Sequence, residues 1–212
     1  LRKPSLRNML CEMRDGTPIF LSSAAGKIIG NVGVTVLGAY QSAAVVGAYA
    51  AVLKIPQMAS LMFTPIGQAL YPRVNEERLR SKAAAAKLVI KFGGPVTAFF
   101  AVMLAVIVIL REPLVSILFG SAYLIAADTL IPLSAWVLFG IVNNFLGVQL
   151  LIPFGHQSLY SALMIADSVL ALVLNMLLGS NFRAMGVASA IAISEMVLTV
   201  LLVVVLVMVV RS

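Results

Sequence analysis

The sequence predicts an all-α integral membrane protein with a bundle of six transmembrane helices, and two observations lead to this fold class. First, hydrophobic residues make up 61% of the 212 residues and charged residues only 11%, with a mean hydropathy of +1.06. Soluble domains contain about 25% charged residues, so this chain is too poor in charge to cover a surface that faces water. Second, long apolar runs alternate with short polar segments, and each run reaches the roughly 20 residues that a membrane-spanning helix needs.

The apolar runs divide the chain into a short leading segment and one membrane domain. Residues 1–16 are polar and basic, and we expect them to form a cytoplasmic linker or an amphipathic segment. Residues 17–212 are predicted to form the bundle, with spans at about 17–40, 43–71, 84–110, 124–152, 158–178 and 185–210.

Basic residues lie mainly on one side of these spans. Ten precede the first span, lie near the junction of the second and third, or follow the sixth: Arg2, Lys3, Arg7, Arg14, Arg73, Arg78, Arg80, Lys82, Lys87 and Arg211. The opposite side carries Arg111 and Arg183. Because loops rich in Lys and Arg stay in the cytoplasm, both termini are predicted to be cytoplasmic. The same distribution explains the net charge of +7 without nucleic acid as a partner.

Several function classes are disfavoured by the residues themselves. Cys11 is the only cysteine and His156 the only histidine, which argues against a disulfide within the chain and against a Cys/His metal site. We find no phosphate-binding glycine loop, acidic metal cluster or nucleophile elbow. We therefore expect a protein that is not an enzyme and that uses no cofactor.

Four predicted spans each carry one ionisable residue near the middle: Lys27, Lys54, Asp167 and Glu195. Each lies about ten residues, or about 15 Å of helix, from an end of its span. A charge at the centre of a bilayer costs at least about 2.5 kcal/mol, so such residues are usually paired, hydrated or functional.

The two lysines belong to polar stripes at helical spacing. The first stripe comprises Ser23, Lys27, Asn31, Thr35, Gly38 and Ser42, and the second comprises Gly47, Ala50, Lys54, Gln57, Thr64 and Gln68. If both stripes face the same side, they form a hydrated cationic cavity lined by Lys27, Asn31, Lys54 and Gln57. Such a cavity suits an anionic substrate, most simply a phosphate. In the alternative, each lysine pairs with an acid on a neighbouring helix.

The two acids allow two interpretations. Asp167 and Glu195 lie on helix faces that also carry small residues, so both can be buried and hydrogen-bonded between closely packed helices. Alternatively, one of them binds a proton or a sodium ion that drives transport. The amides of the fourth span, Asn143, Asn144 and Gln149, are interpreted as interhelical hydrogen-bonding groups.

A series of segments in order resembles the polysaccharide flippases of the Wzx type, within the multidrug/oligosaccharidyl-lipid/polysaccharide exporter superfamily. The segments are VVGAYAAVLKI (45–55), FTPIGQALYPRVNEE (63–77), LFGSAY (118–123), LGVQLLIPFG (146–155), LVLNMLL (172–178) and GVASAIAISE (186–195). They cover nearly the whole chain, and their order is more specific than any one of them.

The resemblance implies a fold of two six-helix bundles around a central cavity, of which this chain looks like the second. It implies a flippase that carries undecaprenyl-pyrophosphate-linked oligosaccharide across the bacterial inner membrane for surface polysaccharide such as O-antigen. Lys54 corresponds to the lysine of a family motif, Lys27 lies on a helix that faces the cavity in that family, and Glu195 falls at a family Ser-Glu position. The implied partners are membrane lipid, the lipid-linked oligosaccharide, and polysaccharide polymerase or export proteins.

Two features depart from the family pattern. Leu53 stands where relatives often have Glu, so a charge pair with Lys54 is lost. A lone bundle also cannot enclose a cavity, so we expect it to need the missing N-terminal half, a partner chain or a second copy. Two other functions remain open at this point: an ion-coupled multidrug exporter, whose cavity should be acidic, and a truncated remnant or scaffold that does not transport.

Overall fold

The computed structural model describes residues 33–211, and the prediction of an all-α membrane bundle is confirmed over this range. Within these residues the backbone forms helices and no strand. The elements in order are α1 (33–40), α2 (Ala43–Val52), α3 (Lys54–Arg80), α4 (Lys82–Ile109), α5 (Arg111–Phe119), a 3₁₀ helix (Ser121–Thr129), α6 (Leu130–Asn143), a π-helix (Asn144–Leu151) and α7 (Gln157–Arg211). Most of the first predicted span, including Lys27 and Asn31, lies outside the described residues.

Four helical segments of the described chain are long and apolar enough to cross a membrane. They are Ala43–Arg80, Lys82–Ile109, Ser121–Leu151 and Gln157–Val209. The first three coincide with the second, third and fourth predicted spans. The last contains both the fifth and the sixth. The chain is thus a multi-pass membrane protein.

The long helix α7 is a hairpin of two arms. Its backbone leaves helical geometry at Arg183 (φ 55°, ψ −135°). A straight helix would hold Asp167 and Ser194 about 40 Å apart, yet the Ser194 hydroxyl lies within hydrogen-bonding reach of the Asp167 carboxyl. The first arm (157–182) and the second arm (184–211) therefore lie side by side. They correspond to the two predicted spans.

The break between α2 and α3 falls at Leu53, directly before Lys54. Pro56 has no N–H to donate to the carbonyl of Val52, four residues earlier, so the regular helix is interrupted there. The chain continues in nearly the same direction, since the Leu53 N–H bonds the Tyr49 carbonyl (2.9 Å) and the Gln57 N–H bonds the Leu53 carbonyl (3.3 Å). Lys54 thus begins a new helix in the middle of a membrane crossing.

Aromatic packing joins α3, α4 and the π-helix at the centre of the bundle. Phe63 packs edge to face with Phe100 (5.9 Å between ring centroids) and with Phe145 (5.4 Å). A side chain at Gly93 would lie 3.2 Å from the Phe145 ring, so this glycine lets Phe145 approach α4. Lipid is as apolar as these side chains, so close packing rather than exclusion of water holds the helices together.

Candidate functional site

The polar face of α3 carries the residues that the sequence analysis assigned to a cavity. Lys54, Thr64 and Gln68 are exposed and Gln57 is half-buried. Leu61 lies on the same face between them and is 70% exposed. Lys54 is eleven residues from Ala43, the far end of this crossing, which corresponds to about 16 Å of helix. A cationic side chain therefore lies at mid-membrane depth on an exposed part of this face.

Lys54 forms no ion pair with any residue that the structure describes. The three ion pairs in that range are Arg80–Glu77, Arg111–Glu112 and Arg111–Asp128. The alternative in which Asp167 or Glu195 neutralises Lys54 is therefore not what the structure shows. Lys27 and Asn31 lie outside the described residues, so their place beside Lys54 stays a prediction.

A buried polar cluster joins α6 to the second arm of α7. The Asn143 side-chain amide donates to the Glu195 carboxyl (2.6 Å to Oε2) and to the Glu195 carbonyl (3.0 Å). The Thr199 hydroxyl donates to Asn143 Oδ1 (2.7 Å) and lies 2.9 Å from the Glu195 carbonyl. The Trp136 side chain forms a further hydrogen bond with Glu195. The expectation of interhelical hydrogen bonds from the fourth span is confirmed at Asn143.

Asp167, on the first arm of α7, lies next to this cluster. It is only 8% exposed, and its Oδ1 has no hydrogen-bond partner among the described residues. The Ser194 hydroxyl donates to the Ile191 carbonyl (3.1 Å), although it lies within reach of the Asp167 carboxyl. Asp167 and Glu195 are close enough to interact electrostatically. Asn143, Asp167, Ser194, Glu195 and Thr199 are called the Asn143–Glu195 cluster below.

Two carboxyl groups so close in a membrane interior repel each other when both are ionised. A proton or a small cation between them would relieve that repulsion. The described residues contain no group of three or more His, Cys, Asp or Glu side chains that could hold a metal ion.

The π-helix brings together two amides that the sequence analysis did not assign to a site. Gln149 donates to the Gly67 carbonyl on α3 (2.9 Å) and lies 3.4 Å from Asn144 Oδ1. Side chains five residues apart diverge by roughly 140° on an α-helix, whereas the wider turn of a π-helix places them on one face. The α-helical periodicity used to find the polar stripes could not reveal this pair.

An exposed ion pair lies at the end of the bundle nearer to Ala43. Arg111, at the start of α5, donates from Nε to Asp128 on the 3₁₀ helix (2.7 Å). This hydrogen bond raises the pKa of Arg111, which is ordinarily charged in any case. The pair connects α5 to the 3₁₀ helix, and we assign it no role in binding.

Comparison with known proteins finds one matching family and several relatives with related names. Residues 1–76 match the family described as "Polysaccharide biosynthesis protein". The chain is 24% identical over 198 residues to "Putative O-antigen transporter" of Escherichia coli (strain K12), covering 93% of this chain and 48% of that protein. It is 26% identical over 194 residues to the protein of the same name in Shigella dysenteriae, covering 91% and 48%.

A relative from an archaeon extends the comparison. The chain is 25% identical over 207 residues to "Probable low-salt glycan biosynthesis flippase Agl15" of Haloferax volcanii, covering 95% of this chain and 43% of that protein. The resemblance stated from the sequence motifs is thereby confirmed. The chain spans about half the length of the curated relatives it matches. No solved structure matches the chain significantly.

Proposed function

We propose that this chain forms one bundle of a flippase that carries undecaprenyl-pyrophosphate-linked oligosaccharide across the bacterial inner membrane. Its relatives are named as an O-antigen transporter and a glycan biosynthesis flippase, which supports a role in moving a polysaccharide precursor. Those names describe transport rather than a catalysed reaction, in keeping with the expectation that the chain is not an enzyme. The glycan would be used for surface polysaccharide such as O-antigen.

The observation that carries the proposal is the exposed position of Lys54 at mid-membrane depth, where no described residue forms an ion pair with it. An ammonium group facing lipid at this depth would cost at least about 2.5 kcal/mol. In a hydrated cavity the free-energy cost of the ammonium group falls, and attraction to a bound pyrophosphate would make its position favourable. In this proposal Lys54 and Gln57 contact the pyrophosphate, and Lys27 and Asn31 on the first predicted span complete the cavity wall.

Transport in this proposal requires a second bundle. Within the described residues the polar face of α3 is exposed at Lys54, Thr64 and Gln68, and a partner there would close a cavity around the head group. The missing N-terminal half, another chain or a second copy could supply it. Rocking of the two bundles would expose the cavity to each side in turn. Both termini would be cytoplasmic, and the delivered oligosaccharide would pass to polysaccharide polymerase and export proteins.

The Asn143–Glu195 cluster is proposed to couple transport to an ion. Asp167 and Glu195 lie on the two arms of α7, so a proton or a sodium ion between them would change the repulsion that acts across this hairpin. Binding and release of the ion would then shift the balance between two packings of the arms. This gives both acids a role at a distance from the pyrophosphate.

A transport experiment tests the proposal directly. Lys54→Ala, made at the native chromosomal locus, should reduce export of surface polysaccharide and cause lipid-linked oligosaccharide to accumulate on the cytoplasmic side. Lys54→Arg should retain part of the activity because it keeps the charge. Lys91→Ala is the matched control, since Lys91 is an exposed lysine within α4 and away from the polar face. Normal export by a well-expressed Lys54→Ala variant would refute the proposed role of this residue.

A further inference from the structure

A polar pocket lies on the same face of α3 as Lys54, nearer to Arg80. Its volume is about 360 Å³, at the small end of the range for small-molecule sites. The π-helix forms its other wall. The side chains that define its chemistry are Phe63, Thr64, Gln68, Tyr71, Asn144 and Gln149.

The buried amide of Gln149 joins the two walls of the pocket. The π-helix turns Asn144 and Gln149 to one side, where Gln149 Nε2 reaches the Gly67 carbonyl (2.9 Å). A Cβ atom at Gly67 would lie 3.4 Å from Asn144 Oδ1 and 3.5 Å from Gln149 Nε2. These are ordinary contact distances, so the two amides pack directly against the backbone of α3 at Gly67.

Gln149 also presents an acceptor that nothing in the described chain uses. Its side chain is only 1% exposed, and its Oε1 has no hydrogen-bond partner among the described residues. A buried polar atom without a partner costs roughly 1–3 kcal/mol. Because this oxygen has almost no accessible surface, it stays inside the wall, and the polar groups that a ligand can reach belong to Thr64, Gln68, Tyr71 and Asn144.

The lining selects against a charged ligand. None of its side chains carries a charge, since it consists of amides, hydroxyls, aromatic rings, and small or apolar residues. Amides and hydroxyls can both donate to and accept from sugar hydroxyls, and the half-buried Tyr71 adds an aromatic surface to the lining. The groove on the opposite side of α3 differs in that it combines a charged residue, Arg73, with apolar residues such as Ile66 and Phe92.

We propose that the pocket between α3 and the π-helix binds a neutral sugar ring of the transported glycan. This inference rests on the proposed function for the identity of the cargo. Thr64 and Tyr71 lie ten and seventeen residues beyond Lys54, or about 15 and 25 Å along α3. One extended molecule can therefore place its pyrophosphate at Lys54 and a sugar in the pocket at the same time.

A binding experiment with two separate probes tests the inference. The full chain is reconstituted in nanodiscs, and binding of the soluble disaccharide N,N′-diacetylchitobiose is measured by saturation-transfer NMR. Gln68→Leu and Asn144→Leu should each weaken disaccharide binding by about three- to tenfold, the loss expected for one hydrogen bond. Gln157→Leu is the control, because Gln157 is a partly exposed glutamine that does not line the pocket.

Inorganic pyrophosphate is the second probe and separates this inference from the proposed function. Lys54→Ala should weaken pyrophosphate binding and leave the disaccharide unaffected, whereas Gln68→Leu should do the reverse. Disaccharide binding that is undetectable, or equal in wild type, Gln68→Leu and Asn144→Leu, would overturn the sugar pocket. If Lys54→Ala binds pyrophosphate as tightly as wild type while the disaccharide results are as expected, the role of Lys54 in anion binding is overturned. The proposal of a sugar pocket is then unaffected.

Discussion

The polar face of α3 and the Asn143–Glu195 cluster begin from the same sequence feature and end in opposite environments. Each has an ionisable residue near the middle of an apolar span. Lys54 is exposed and has no ion-pair partner in the described chain, whereas the Glu195 carboxyl accepts hydrogen bonds from Asn143 and Trp136. The Glu195 carboxyl thus finds hydrogen-bond donors within the bundle, whereas no described residue forms an ion pair with Lys54.

This difference indicates what each region can do. Hydrogen bonds across helices stabilise a bundle modestly, by about 0.6 kcal/mol on average in one membrane protein, and they fix the register of the helices they join. An unpaired cation contributes nothing to that packing. We therefore expect substitutions in the cluster to lower the free energy of unfolding, and substitutions on the α3 face to lower binding.

The largest effect on stability should come from Asn143→Leu. This change leaves the Glu195 carboxyl and the Thr199 hydroxyl without their shared partner, so the free energy of unfolding should fall by about 1–3 kcal/mol. Denaturant unfolding in detergent micelles measures it. Asn181→Leu is the control, since Asn181 is exposed and its amide bonds only within its own helical arm. An equal fall in the free energy of unfolding for Asn143→Leu and Asn181→Leu would show that the cluster does not stabilise the bundle.

A smaller effect on stability, with a large effect on transport, is expected for Glu195→Gln. The amide oxygen of glutamine can still accept from Asn143, so the free energy of unfolding should change by less than about 1 kcal/mol. The variant can neither release a proton nor offer a charge to a cation, so export of polysaccharide should fail. Export at the normal rate would leave the cluster with a structural role alone.

The smallest effect on stability is expected for Lys54→Leu. An exposed substitution away from any hydrogen-bonded network usually changes the free energy of unfolding by no more than about 0.5 kcal/mol. The same denaturant experiment measures it beside Asn143→Leu. A loss as large as that of Asn143→Leu would mean that Lys54 is part of the packing, and the contrast between the two regions would fail.

The fold class was predictable because the share of charged residues and the length of the apolar runs depend directly on whether the chain is surrounded by water or by lipid. Asn143 and Gln149 of the fourth span were correctly assigned to hydrogen bonds between helices, since a buried amide in lipid needs a partner. The sequence could not name those partners: the pairing of Asn143 with Glu195 depends on the register of two helices that meet only after folding.

The sequence analysis also had limits in predicting where the helices depart from regular α-helical geometry. The interruption at Leu53 has a cause that is visible in the sequence, since Pro56 follows three residues later. The π-helix gave no such warning, because no residue type marks it and α-helical periodicity places Asn144 and Gln149 on different faces. The sugar pocket was therefore hidden, whereas Lys54 was found from its charge and depth alone.

The measurement that most directly tests the central claim is the access of water to position 54. With Cys11 replaced by serine, Lys54→Cys is compared with Phe99→Cys, which lies at similar depth on α4 and is 60% exposed. Both are treated in whole cells with a membrane-impermeant thiol reagent that carries a sulfonate. We predict modification at position 54, slowed by pyrophosphate, and none at position 99. Equal resistance at the two positions would contradict a watery chamber beside α3.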